Sequence, residues 1–184
     1  MTDIAVLDSG TTVTQNVQRK SSYDKGELVS AGRGELFETQ SPRLPIPPML
    51  MLDRITNISK TGGDFGKGYA VAELDVWEGL WFFWSHFLGD PVMPGCLGLD
   101  AIWQLFGFSL GWLGAHGRGR ALEVGHVKFE DEVTPNTGTI VITSQFEKWI
   151  TRRMPFIRGS GFISVDGRTI YTAHDVVVIL RPWD

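Results

Sequence analysis

The segment over residues 95–113 constrains the fold more than any other part of the chain. It is the one long helix candidate, and at 1.5 Å per residue it would extend roughly 28 Å. Its large apolar residues point in every direction around the helix axis; they are Leu97, Leu99, Ile102, Leu105, Phe106, Phe108 and Leu110. A helix that is apolar on all sides belongs in a protein core. We therefore expect a sheet to wrap around this helix.

Five segments, one before this helix and four after it, have the residue patterns of β-strands. The predicted strands cover residues 66–76, 120–129, 139–149, 156–165 and 168–181. Asp166-Gly167 is typical of a two-residue hairpin turn, so we expect a mostly antiparallel sheet. A long central helix wrapped by a curled antiparallel sheet is an α+β arrangement of the hot-dog type.

Residues 1–48 are predicted to contain little regular structure. A short helix is expected from Tyr23 to Ser30, ending at the glycines that follow. The proline-rich segment over residues 41–48 should be an extended connector, because proline fixes the backbone and removes hydrogen-bond donors. Residues 1–22 lack the apolar core of a signal peptide and are predicted to be a mobile tail. A chain of 184 residues suits one domain, which we place over residues 23–184.

Composition excludes several classes of function. The net charge is −4, with 17 basic and 21 acidic residues, so nucleic acid is not an expected partner. The apolar stretch over residues 80–113 is interrupted by polar residues and prolines, so no membrane association is expected. With Cys96 as the only cysteine, no disulfide can form within the chain, and a reducing cytoplasm is the expected location.

The candidate chemistry lies just before and inside the predicted helix. His86 follows an aromatic run, and a neutral imidazole in apolar surroundings can remove a proton from carbon. Gly95 opens the helix, where free backbone N–H groups and the helix dipole could stabilise an enolate-like thioester oxygen. Asp100 is a carboxylate on an apolar helix and becomes a candidate proton donor. Gln104 lies four residues further on the same face and could orient Asp100.

Each assignment has a structural alternative. His86 could be a hydrogen-bonded core residue, and Asp100 could cap a nearby loop or pair with Arg33 or Arg54. Cys96 at the helix start could be a reactive thiolate or a small packing residue.

The other three histidines are weaker candidates for the catalytic base, and a metal site is not indicated. The spacing of His86, Asp90 and Asp100 matches no metal motif, so no metal is predicted. His116 lies in the turn after the helix, while His126 and His174 lie within predicted strands beside Lys128 and Asp175. Solvated or structural roles suffice for these three histidines.

The sequence resembles the bacterial 3-hydroxydecanoyl-[acyl-carrier-protein] dehydratase/isomerase family. The resemblance extends over residues 23–180 and is carried by residues 30–37, 48–55, 86–100 and 111–114. Related dehydratases without isomerase activity carry glutamate where this chain has Asp100. The sequence Gly-Cys-Leu-Gly-Leu-Asp at residues 95–100 therefore favours the branch of the family that has both dehydratase and isomerase activity. Trp84-Ser85, directly before the histidine, departs from the family pattern.

This resemblance implies a hot-dog fold and a homodimer whose two active sites each combine His86 of one chain with Asp100 of the other. It also implies that the Gly95 amide binds the thioester carbonyl and that the Val92 carbonyl orients the histidine. Cys96 and Gln104 are placed with Gly95 and Val92 among the substrate-binding residues. The implied substrate is a (3R)-hydroxyacyl group on acyl carrier protein, with a length near C10 and no cofactor.

Overall fold

The computed structural model describes residues 19–183. The helices are α1 (Lys25–Arg33) and α2 (Gly95–Trp112), with a short 3-10 helix over Trp81–Trp84. The strands are β1 (Arg54–Ser59), β2 (Tyr69–Asp75), β3 (Arg118–Glu123), β4 (His126–Phe129), β5 (Thr139–Ile150), β6 (Phe156–Val165) and β7 (Arg168–Arg181). They form a seven-stranded sheet in the order β1-β2-β5-β6-β7-β3, with β4 also paired to β7. Every pairing of these seven strands is antiparallel, which confirms the prediction of a mostly antiparallel sheet.

Helix α2 packs against the sheet through contacts with β2, β3, β5, β6 and β7. Glycines on both sides permit this close approach: a Cβ atom added at Gly98 would clash with the ring of Tyr171, and one at Gly161 would clash with Ile102. The helix is not buried all round, however, which corrects the prediction. A stripe of exposed or partly exposed positions at helical spacing runs along it, through Cys96, Leu99, Asp100, Trp103 and Gly107.

The predicted helix at the start of the domain is α1, shifted by two residues at its start and three at its end. Asp24 caps it, with its side chain accepting from the Glu27 N–H at 2.9 Å while Glu27 accepts from the Asp24 N–H at 3.1 Å. Gly34 ends the helix with φ of +81°, a left-handed conformation that glycine adopts without strain. The proline-rich connector contains no helix or strand, as predicted.

Two strand predictions need correction. Strand β1 was not predicted, because Arg54–Ser59 is mostly polar and a register shift between Ile55 and Asn57 breaks its alternation. The strand predicted over residues 120–129 is two strands. The break falls at Gly125, which lies against the Asp175 side chain.

Most of the predicted N-terminal tail, residues 1–18, lies outside the described residues. The described end of that segment contacts the domain. The Trp112 indole N–H donates to the Lys20 carbonyl at 2.8 Å, and the Ile58 N–H donates to the Ser21 carbonyl at 2.9 Å. In the described part of the chain, no helix is long and apolar enough to cross a membrane.

Candidate active site

The loop between the 3-10 helix and α2 holds His86 through short-range backbone contacts. Phe82 and Phe83 are buried and anchor the 3-10 helix in the core. The His86 N–H donates to the Phe82 carbonyl at 3.0 Å, and the His86 carbonyl accepts from the Val92 N–H at 2.9 Å. Between them, Phe87 and Asp90 exchange a pair of backbone hydrogen bonds. The loop is therefore a closed turn that presents one histidine.

The His86 imidazole has a defined orientation. Its Nδ1 lies 3.0 Å from the Val92 carbonyl oxygen, and the ring of Phe87 lies against it with a centroid separation of 4.0 Å. A carbonyl oxygen can only accept, so Nδ1 must carry the proton in this contact. In the neutral ring, Nε2 then carries the lone pair. The geometry leaves Nε2 as the atom that can accept a proton.

The start of α2 offers backbone N–H groups close to this loop. Pro94 occupies the N-cap position and makes no side-chain capping bond, so the first N–H groups of the helix receive no side-chain acceptor there. A Cβ atom added at Gly95 would lie 3.1 Å from the Phe129 ring. Glycine therefore lets β4 approach the helix start closely.

Asp100 and Gln104 form the second half of the candidate site. The Gln104 Nε2 donates to Asp100 Oδ2 at 2.7 Å and to the Met49 carbonyl at 2.8 Å, while Gln104 Oε1 accepts from the Met51 N–H at 2.9 Å. The Met51 N–H can only donate, which fixes the orientation of the amide. Gln104 is 5% exposed. It therefore clamps one oxygen of the carboxyl group from a rigid, buried position.

Burial raises the pKa of Asp100 above the ordinary aspartate value, and the hydrogen bond from Gln104 opposes this shift. Desolvation disfavours the charged carboxylate, so this carboxyl group keeps its proton to a higher pH than an ordinary aspartate does. A protonated carboxyl group can donate a proton to a leaving oxygen. Within residues 19–183, Asp100 forms no ion pair with Arg33 or Arg54, which contradicts that alternative: Arg54 pairs with Glu73 and Asp75, and Asp100 accepts a hydrogen bond from Gln104.

The structure brings His86 together with Val92, and Asp100 together with Gln104, but it does not join the two pairs. Among residues 19–183, no hydrogen bond or ion pair links His86 to Asp100. A cavity of about 140 Å³ opens beside Asp100, and His86 is not among its lining residues. Arg43, Trp103 and Arg120 line it with Asp100 and Gln104.

Several contacts of the site had no signal in the sequence. The Met49 and Met51 backbone groups are more than fifty positions from Gln104, and backbone groups carry no residue-type signature. Phe129 looked like an ordinary strand residue. Within residues 19–183 the Trp103 indole N–H is buried without a hydrogen-bond partner, which only the packing reveals. Cys96 is exposed, which does not fit its interpretation as a packing residue.

Two solved structures of known proteins have a similar fold. The dehydratase heterocomplex ApeI:P from Xenorhabdus doucetiae matches with a TM-score of 0.58 and 19% identity, over 77% of this chain and 89% of that chain. The putative thioesterase from Shewanella oneidensis matches with a TM-score of 0.51 and 12% identity, over 86% of this chain and 97% of that chain. At such low identity these likenesses concern the fold alone.

The family comparison is more specific. The family model described as the FabA-like domain matches residues 44–174, which include β1, α2 and both halves of the candidate site. The match and the structural neighbours confirm the predicted hot-dog fold. The chain therefore belongs to the family of FabA-like domain proteins.

Proposed function

We propose that this protein dehydrates (3R)-hydroxyacyl-[acyl-carrier-protein], with a preferred length near C10, to the trans-2-enoyl thioester. We further propose that it isomerises the trans-2-decenoyl to the cis-3-decenoyl thioester in the biosynthesis of fatty acids, including unsaturated ones. The observation that carries the proposal is the hydrogen bond from His86 Nδ1 to the Val92 carbonyl. It leaves Nε2 free to act as a base beside an uncapped helix start.

In the dehydration step, His86 Nε2 takes the proton from C2 of the substrate. The electron pair of that C–H bond becomes the C2–C3 double bond, and the C3–O bond breaks. Asp100 gives its proton to the departing hydroxyl group, which leaves as water. The Gly95 N–H stabilises the negative charge that develops on the thioester oxygen. Transfer of the proton from His86 back to Asp100 restores the site.

Isomerisation uses the same base. His86 removes a proton from C4 of the trans-2-enoyl product, the double bond moves to C3–C4, and the proton is returned at C2. The positions C2 and C4 are close enough for one imidazole to serve both. The reaction needs no cofactor and no change of oxidation state.

The active site is proposed to be shared between two copies of the chain in a homodimer, with His86 of one copy facing Asp100 of the other. Two observations support this arrangement. Asp100 lies on the one stripe of α2 that the sheet leaves partly exposed. Beside His86, three large apolar residues are exposed in the single chain: Trp84 by 76%, Phe87 by 56% and Leu88 by 98%. A partner copy or an acyl chain would cover this apolar surface.

The proposal also covers the carrier of the acyl group, the location, the domain and the other residues of the site. The acyl group arrives on acyl carrier protein, the reaction takes place in the cytoplasm, and residues 23–184 form one catalytic domain. Val92 and Gly95 position the base and the thioester oxygen, Gln104 positions Asp100, and the exposed Cys96 lies beside the bound substrate.

The test is turnover of a C10 3-hydroxyacyl carrier-protein thioester by the wild type and by His86→Ala, with the enoyl products separated into trans-2 and cis-3 species. The proposal expects both products from the wild type and neither from the variant. If the wild type forms only the trans-2 product, the isomerase part fails. Release of free thiol without enoyl product would indicate a thioesterase, and binding without turnover would indicate an acyl-binding protein.

A further inference from the structure

Two histidines that the proposed reaction does not use lie directly opposite each other on neighbouring strands. His126 on β4 pairs with His174 on β7 in the antiparallel register, and both are exposed. Directly opposite residues of an antiparallel pair project from the same face, with Cβ atoms about 4.5–5.5 Å apart. The two imidazoles therefore share one patch of the sheet surface.

This spacing suits a shared metal ion. A zinc–nitrogen bond is about 2.0–2.1 Å long, so two nitrogens bound to one tetrahedral ion lie roughly 3.3 Å apart. Side chains that start about 5 Å apart can converge to that distance when the His126 side chain rotates toward His174. Neutral imidazole is a preferred ligand of zinc, copper and nickel ions.

The surroundings of His174 restrict its ring. The Ser160 Oγ lies 3.3 Å from His174 Nδ1, and the ring of Phe162 meets the imidazole edge to face with a centroid separation of 6.2 Å. Outer contacts of this kind orient metal-binding histidines and fix which ring nitrogen faces the ion. With Nδ1 directed at Ser160, Nε2 is the nitrogen available for coordination.

The nearby cations are already paired. Lys128, two residues from His126 on the same face, forms an ion pair with Glu130 at 2.5 Å. Arg158 pairs with Asp175, the neighbour of His174, and with Glu147. These pairings reduce the repulsion that a divalent cation would meet at the histidine pair.

We propose that His126 and His174 form a two-histidine binding site for a divalent transition-metal ion of the Zn²⁺ or Ni²⁺ class. No group of three or more His, Cys, Asp or Glu side chains suited to a metal ion occurs within residues 19–183, so water would complete the coordination. The bound ion would link β4 to β7. Because β4 carries Phe129 against Gly95, the ion would also hold that contact in place.

The experiment is calorimetric titration of the full chain with NiCl₂ near neutral pH, where imidazole is mostly neutral. The variants are His126→Ala and His174→Ala, and the matched control is His116→Ala, which removes an exposed histidine elsewhere. Loss of an outer-shell partner alone weakens a metal site about 10- to 100-fold, so each variant of the pair should weaken binding by at least about tenfold. The wild type and His116→Ala should bind one ion per chain with equal affinity.

Thermal unfolding with and without ZnCl₂ gives a second measurement. An ion that binds the folded chain raises Tm by mass action, so the rise should occur in the wild type and in His116→Ala and be lost in both variants of the pair. Equal Tm values without metal would show that the substitutions at these exposed positions leave the fold intact. The proposal is overturned if the wild type binds no ion, or if the affinity survives both substitutions.

Discussion

His86 is held by groups within six positions of it, whereas Asp100 is held through Gln104 by backbone atoms 53 and 55 positions from that glutamine. The histidine loop is bordered by exposed apolar side chains, and the aspartate is partly buried, which raises its pKa. The proposed base is thus positioned by local chain geometry, and the proposed acid by the packing of α2 against a distant connector. The two halves should therefore respond differently to mutation.

The largest expected effect is on the base. His86→Ala should lower the rate constant of the dehydration step by about 10²- to 10⁴-fold, because a positioned general base typically contributes that much. The measurement is a single-turnover assay with the C10 substrate. His116→Ala is the control, and its rate should equal that of the wild type. A rate near the wild-type value in His86→Ala would remove the imidazole from the mechanism.

The next prediction tests whether the two halves meet across a dimer. His86→Ala and Asp100→Asn should each be almost inactive, but their equimolar mixture after exchange of subunits should recover about a quarter of the wild-type activity. Half of the dimers are then mixed, and each mixed dimer has one intact site of two.

Native mass spectrometry would verify that mixed dimers form. If they form and the activity does not return, the base and the acid belong to the same chain, and the shared site is wrong.

A smaller effect is expected from breaking the long-range clamp. Gln104→Met keeps the side-chain length but leaves the Met51 N–H and the Met49 carbonyl without their partner. Met51 is 2% exposed, so its unpaired N–H should cost about 1–3 kcal/mol in the free energy of unfolding, whereas Met49 is 41% exposed and its carbonyl can turn to water. Urea unfolding at fixed protein concentration measures it.

Ser85→Ala is the local counterpart. It removes a 3.3 Å hydrogen bond from Ser85 Oγ to the Phe82 carbonyl at an exposed position of the histidine loop, and it should change stability by less than about 0.5 kcal/mol. Equal losses in the two variants would contradict the proposed difference between the halves.

The smallest effect concerns the charge of Asp100. Its pKa is raised in the folded chain, so the folded state binds more protons than the unfolded state between the two pKa values. Stability therefore falls as pH rises from the unfolded value, near 3.9, through the folded one. Asp100→Asn removes this dependence and should have a higher Tm than the wild type at neutral pH, although it is less active. The measurement is Tm as a function of pH for the wild type and for Asp100→Asn. Parallel curves would contradict the prediction.

The fold was predictable from the sequence where local patterns decide it. The start of α2, the bounds of β6 and β7, and the hairpin at Asp166-Gly167 match the structure, because each depends on neighbouring residues. Strand β1 and the break at Gly125 were missed, because a polar edge strand and a local register change leave no clear periodicity.

The candidate site divides in the same way. The sequence indicated His86, Gly95 and Asp100, because an imidazole, a helix start and a carboxylate within a short apolar stretch stand out by residue type. The backbone clamp on Gln104 was not visible, because any residue can supply an N–H or a carbonyl group.

The sequence by itself determined a core helix, an antiparallel sheet and the residues that could carry chemistry, since these depend on periodicity and residue type. Only the tertiary structure decided which face of α2 stays open, which distant backbone groups hold Gln104, and that His126 lies opposite His174. Strand register and helix contacts depend on the packing of segments far apart in the chain, and no local pattern specifies them.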